Sequence, residues 1–233
     1  MSRLPNLGEC REIFNYAITG NVDSLMQKIS TGLSPDCHNV YANSASPLYG
    51  AVMYQKANIV TALLENGADV NFRSGIGETA LTMAAQTNNM EIFNSLMSYN
   101  PDPNIANKAG LVPLMSASLN NNLVAVNSLI SHGANVNLQM SDGSTALHIA
   151  AIVNGYTYPA QLELEQRFLE VGDTDARIRD AKGHLDRTLA TMKLLLENGT
   201  PCAEACMNIL MQNPMLKAAA DLYLATHETP NDL

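Results

Sequence analysis

Ser46-Pro47-Leu48, Thr79-Ala80-Leu81, Val112-Pro113-Leu114 and Thr145-Ala146-Leu147 follow one another at equal steps along the chain, the first positions being 46, 79, 112 and 145. The register extends outward from these triplets. Gly77, Gly110 and Gly143 stand just before the last three of them, and Ala51, Ala84, Ala117 and Ala150 stand one helical turn or so beyond each first position. Gly67-Ala68, Asn100-Pro101 and Gly133-Ala134 mark the far end of the unit. A period held over successive intervals in one phase decides the architecture before any single element is assigned.

Each piece of the unit has a mechanical reason. A Ser or Thr hydroxyl caps the free amides of a new helix, and Pro fits the first helical turn because its missing N–H has no partner there. Small pairs such as Ala84-Ala85 and Ala150-Ala151 let that short helix approach its neighbours closely, and a Gly or Asn after it closes a tight turn. A second helix follows, as in Ile59-Val60 with Leu63-Leu64, apolar at helical spacing and ended by Gly67. The stretch Gly67-Ala68-Asp69-Val70-Asn71-Phe72 then leaves as a loop that turns at Ser74-Gly75-Ile76-Gly77. One unit is helix, turn, helix, projecting hairpin loop.

Thr145-Ala146-Leu147-His148-Ile149-Ala150-Ala151 and Leu63-Leu64-Glu65-Asn66-Gly67-Ala68-Asp69-Val70-Asn71 carry the resemblance. In period, phase and motif the chain resembles the ankyrin-repeat family, whose unit of about 33 residues opens on Thr-Pro-Leu-His. The resemblance implies an all-α solenoid of stacked helix-turn-helix units with projecting hairpin loops. The array is expected over residues 9–200, with repeats near 9–42, 43–75, 76–108, 109–141 and 142–200. The first repeat is worn and its spacing to the second is slightly long, as expected of a terminal unit with one face in water.

The fifth repeat breaks the register. Its closing stretch, Leu195-Leu196-Glu197-Asn198-Gly199, falls two full periods after the matching end at Gly133 instead of one. A stretch of one period, 155–187, therefore lies inserted between its two helices. Between Gln161 and Arg187 stand 12 of the 35 charged side chains of the protein, a different surface from the rest. Pro159 and Thr174 stand as helix starts, which reads as a helical hairpin; a degenerate extra repeat is the alternative. Residues 201–227 read as a helical cap split near Pro214, and 228–233 as a loose tail.

Composition narrows the class of partner. Thirteen Lys and Arg against 22 Asp and Glu leave a formal charge of −9 in 233 residues, which argues against nucleic acid and against an anionic membrane. The start Met1-Ser2-Arg3-Leu4-Pro5-Asn6 begins no signal-peptide core, and no run of about 18 apolar residues spans a bilayer. A cytoplasmic protein is expected. Four cysteines, Cys10, Cys37, Cys202 and Cys206, are too few and too scattered for a disulfide framework, so free thiols are expected.

Catalysis has little to stand on. His38, His132, His148, His184 and His227 fall in separate regions, and no phosphate loop, nucleophile elbow or zinc-protease helix is present. The resemblance implies a structural role for His148, hydrogen-bonding between adjacent loops. Cys202 and Cys206 share a helical face but lack two further ligands, and Asp173 and Asp175 lack the oxygen set of a calcium loop, so neither metal nor cofactor is expected. Asn71 and Asn137 occupy the loop position that asparagine hydroxylases modify in similar repeats; loop-stabilising hydrogen bonds are the plainer reading.

The resemblance also implies where a partner protein docks, on the concave face of the first helices and the hairpin tips. The concave pairs are Met53-Tyr54, Gln86-Thr87, Leu119-Asn120 and Ile152-Val153, and five of these eight are apolar or aromatic. Ile76, Glu78, Leu111 and Ser144 are the tip residues. An apolar patch with a polar rim marks an interaction site. It is covered either by another protein or by the insertion folding back with Leu162 or Phe168. The leading expectation is a non-catalytic protein-interaction module whose charged insertion tunes selectivity. A secreted bacterial effector acting in the host cytosol is one alternative, and an enzyme with a site built by the insertion and the cap, around Cys202, Cys206 or His184, is another.

Overall fold

The computed structural model describes residues 6–40, 42–150, 187–188 and 190–200. Within them, helices follow in the order α1 (Leu7–Thr19), α2 (Val22–Ser30), α3 (Pro47–Met53), α4 (Ala57–Glu65), α5 (Ala80–Thr87), α6 (Met90–Met97), α7 (Pro113–Leu119) and α8 (Leu123–Ser131). Positions 146–150, 187–188 and 190–197 are helical as well. Among the described residues the only β-pairing is a single bridge, Asn39 with Ala45. The fold is the expected all-α stack.

Most of these helices are too short to persist alone in water, so their stability comes from stacking. The first helices form one layer, α1 on α3, α3 on α5 and α5 on α7; α2, α4 and α6 form a second layer in the same sequence. One continuous core runs through both, from Ile13 and Leu25 through Leu48, Leu63, Leu81, Phe93, Leu114 and Leu129 to Leu147 and Leu195.

The helix starts follow the chemistry read from the triplets. Ser46 accepts from the amide of Tyr49 with Pro47 in the first turn, and Thr79 accepts from that of Thr82. Val112 offers no oxygen, and α7 begins without a side-chain cap. Three second-layer helices use asparagine: Asn21, Asn89 and Asn122 accept from Ser24, Ile92 and Ala125, while α4 starts at Lys56 without a side-chain cap. Between the helices of a unit the chain enters the left-handed region, at Gly20, Gln55, Asn88 and Asn121.

Gly50 and Gly110 are among the glycines dictated by space. A Cβ at Gly50 would lie 2.9 Å from the Phe14 ring, so its absence lets α1 seat on α3. Gly110 combines φ +86° with a backbone approach in which a Cβ would stand 2.7 Å from the Met140 Cα. That contact stacks one hairpin turn on the next.

The loops are tied by a ladder of carboxamides and carboxylates. Asp36 accepts from the Asp69 amide (2.9 Å), Asn71 from that of Asp102 (2.9 Å) and Asn104 from that of Asn135 (2.7 Å). Asp69, Asp102 and Asn135 in turn accept from the amides of Asn71, Asn104 and Asn137. Asn71 therefore has the loop-stabilising role that is its plainer reading.

The cysteines differ from expectation. Cys10 and Cys37 form a disulfide that ties α1 to the loop after α2, with their Cα atoms 5.0 Å apart. Spacing along the chain says nothing of this, because only folding of the unit brings the start of its first helix against the loop that closes it. Cys202 and Cys206 lie outside the described residues, as do Ile152, Val153, the helix starts expected at Pro159 and Thr174, nearly all of the insertion, and the cap.

Candidate protein-interaction face

Large apolar side chains stay uncovered on the first-helix layer and its hairpin tips. Met53 (49% exposed) and Tyr54 (53%) stand at the end of α3, Leu119 (46%) at the end of α7 and Ile76 (42%) at a tip. Gln86 and Thr87, at the end of α5, are half-buried. Asn120 is exposed, with its carboxamide turned back onto the Ser116 carbonyl at 3.0 Å. Each helix ends at this edge because the left-handed residue that follows it turns the chain toward the second layer. The last first-helix side chain therefore points away from the core.

Met53 and Ile76 converge. With Phe14, Ala45, Tyr49 and Ser74 they line a cavity of about 250 Å³ between α1, α3 and two neighbouring hairpin turns. Small-molecule pockets occupy about 300–1,000 Å³, so a cavity of this size suits one apolar side chain better than a free metabolite. A larger and more open cleft of about 490 Å³ lies between the second-layer helix α8 and residues 190–197, lined by Val124, Leu123, Leu194 and Lys193. Val124 is 66% exposed there and escapes the sequence reading, because the repeat register marks it only as a second-helix residue.

Glu78 departs from its assignment as an open tip, while Leu111 and Ser144, like Gln86 and Thr87, are half-buried. Glu78 is buried, and its carboxylate accepts from the Tyr49 hydroxyl at 2.7 Å and from Gln86 at 3.4 Å. It is the joint between two units rather than a contact for a partner, since the turn from Ser74 to Glu78 closes on itself by mutual bonding. Leu111 packs partly into the core, and Ser144 is half-buried with its amide bound to Asp142. A signal for all three is present in the sequence: the column Ala45, Glu78, Leu111, Ser144 holds small or apolar residues in every unit but one, the mark of a covered position.

The electrostatics of the face are plain. Tyr49 is held above the usual tyrosine range, first by burial and then by its bond to Glu78. Burial pushes the His148 imidazole down, partly offset by Asp142. Its Nδ1 pairs with the Thr145 hydroxyl at 2.9 Å, so the ring supports the helix start of its own unit. No group of three or more potential metal ligands occurs among the described residues, and none of their helices is long and apolar enough to cross a membrane.

A family model described as Ankyrin repeats (3 copies) matches residues 13–107 and 83–162, more than half of the chain. The chain belongs to the ankyrin-repeat family. It is similar to the ankyrin repeat-containing protein P1E11.10 of Schizosaccharomyces pombe (strain 972 / ATCC 24843), 32% identical over 69 residues. That match takes in 30% of this chain and 32% of the relative, so the chain spans about a third of that relative's length. Ankyrin repeats are in general protein–protein interaction modules, and their stacks are typically without catalysis.

Proposed function

We propose that this ankyrin-repeat protein binds a partner protein along the first-helix layer, with Met53, Tyr54 and Leu119 as apolar contacts and the cavity between Phe14 and Ile76 as the seat of one partner side chain. The observation that carries the reading is the meeting of Met53 and Ile76. One comes from a helix end and the other from a hairpin tip, both stay exposed, and both line one cavity of side-chain size. Burying a Leu-sized group is worth about 1.5–3 kcal/mol, so a few such contacts anchor a complex. Gln86, Thr87 and Asn120 supply polar rim contacts; the apolar pair Ile152-Val153 extends the same register.

In this reading the fifth unit runs from Thr145 to Gly199 as one interrupted repeat, supported by the core that Leu147 and Ala150 share with Met192, Leu195 and Leu196. The charged stretch 155–187 sets selectivity among partners. The test is selection of a displayed random-peptide library on the full chain, followed by affinity measurement with Met53→Asp, Leu119→Asp and an insertion-deleted form. Met53→Asp and Leu119→Asp are expected to lower affinity at least tenfold while leaving the circular dichroism spectrum unchanged. Equal affinity for both variants and the wild type removes the proposed face.

A further inference from the structure

Among the four units formed by α1 to α8, the first buries the fewest helix side chains. Helix α2 buries a single side chain, Leu25, whereas α4 buries Ile59, Val60, Leu63 and Leu64, and α6 buries Ile92, Phe93, Leu96 and Met97. A terminal unit has a neighbour on one side only. In the later units the position of Cys37 is held by Val70, Pro103 and Val136, all buried without a covalent partner. At the first unit Cys37 closes onto Cys10 through a covalent bond instead.

The bond bears on the face described above. Phe14 follows Cys10 one helical turn later on α1, hence on the same side of the helix, and forms a wall of the cavity shared with Tyr49, Met53 and Ile76. We infer that the Cys10–Cys37 disulfide is a redox latch: oxidised, it ties α1 to the loop that closes the first repeat and so keeps that repeat, with its Phe14 wall of the cavity, folded in place; reduced, it lets the first repeat open locally and dismantles the cavity wall. The effect on binding rests on the proposed function, whereas the effect on the repeat stands by itself.

The step balances as thiol–disulfide exchange with a dithiol. A thiolate of the dithiol attacks one sulfur of the bond, giving a mixed disulfide, and its second thiol resolves it. Two electrons and two protons pass to the protein, Cys10 and Cys37 end as thiols, and the dithiol ends as a disulfide. Both sulfurs belong to buried residues, 7% and 4% exposed, so attack waits on a local opening.

The size of the effect follows from chain entropy. Closing a loop across a sequence separation of 27 removes enough denatured-state freedom to shift the opening equilibrium by roughly several hundred-fold. Helix α2 offsets that loss with one fully buried side chain, Leu25, and the partly buried Val22 and Ile29.

The experiment uses the full chain, oxidised and dithiothreitol-reduced, beside a Cys10→Ser/Cys37→Ser form. Non-reducing peptide mapping is expected to recover the fragment joining Cys10 to Cys37; its absence from air-oxidised protein overturns the latch. Hydrogen exchange over the first repeat, from α1 to Val40, is expected to quicken at least a hundredfold on reduction, with α5 to α8 unchanged, and the double-serine form to exchange fast under both conditions. Exchange within threefold between oxidised and reduced protein overturns it. Affinity for a library-selected peptide is then measured in both states. If no peptide responds to Met53→Asp, the binding face has failed and exchange alone decides the latch. If a responsive peptide binds equally in both states, the latch does not govern the face.

Discussion

Replacing Tyr49 by Phe removes one oxygen at the place where the second and third repeats meet. The hydroxyl donates at 2.7 Å to Glu78, and both residues are buried. Among the described residues the remaining side-chain donor to that carboxylate is Gln86, at 3.4 Å. A hydrogen bond to a charged group contributes about 1.5–3 kcal/mol, and the ring volume is kept, so no cavity term is added. Tyr49→Phe is expected to destabilise the stack by about 2 kcal/mol, roughly thirtyfold in the unfolding constant. Urea unfolding followed by far-ultraviolet circular dichroism measures the total, and hydrogen exchange shows whether α3 and α5 open together. The pH dependence supplies an internal check. Burial and the bond to Glu78 raise this phenol above its ordinary 10.0. The unfolded chain ionises near that value while the folded one stays protonated, so the contribution is complete below about pH 10 and falls as pH rises toward the folded value. The gap between wild type and variant should narrow above about pH 10. A destabilisation under about 0.5 kcal/mol at neutral pH, well below the range for a charged acceptor, or a gap that stays constant through the alkaline range, refutes the reasoning.

Two further outcomes follow from particular contacts. His148 titrates below its ordinary 6.5 because it is partly buried, so the wild type should lose stability relative to His148→Gln as pH falls from 6.5 toward the folded value; parallel curves across that interval in thermal melts would exclude this. Gly110→Ala should destabilise by more than ~1 kcal/mol, since a Cβ there adds a 2.7 Å contact with the Met140 backbone to a left-handed φ, and a melting temperature equal to wild type would show that the turn relaxes freely.

The repeat was legible because each unit has to satisfy the same two demands, a capped helix start and a small-residue helix face, and those demands recur at fixed columns. Ser46, Thr79 and Thr145 could be assigned a role from type and position alone. What remained hidden depends on partners most of a repeat away along the chain. Glu78 looks like a solvent-facing charge until the hydroxyl of Tyr49 is brought to it across a repeat boundary. Cys10 and Cys37 look unrelated until the loop closes on the helix start. Columns held a partial signal for both, because Cys37 stands where other units place Val70, Pro103 and Val136, and Glu78 stands among Ala45, Leu111 and Ser144. A polar or reactive residue in a covered column has a partner, and the column alone does not say which. Met53, Tyr54, Leu119 and Asn120 were easier, because the end of a short first helix has to face outward whatever precedes it.

The proposed interruption of the fifth repeat would fit a stack that tolerates a large departure from its period. In the second unit positions 54–56 join the two helices, whereas in the fifth positions 151–186 separate the helical stretch 146–150 from the next described helical positions, 187–188 and 190–197. Closure entropy grows only with the logarithm of the separation, so a roughly twelvefold longer one adds about 2 kcal/mol. Met192, Leu195 and Leu196 are almost wholly buried in the shared core, and each such side chain returns about 1.5–3 kcal/mol. Burial outweighs closure even with no help from the intervening chain. On the proposed reading of the fifth unit, the second helix finds its place by what it buries and not by how soon it arrives along the chain.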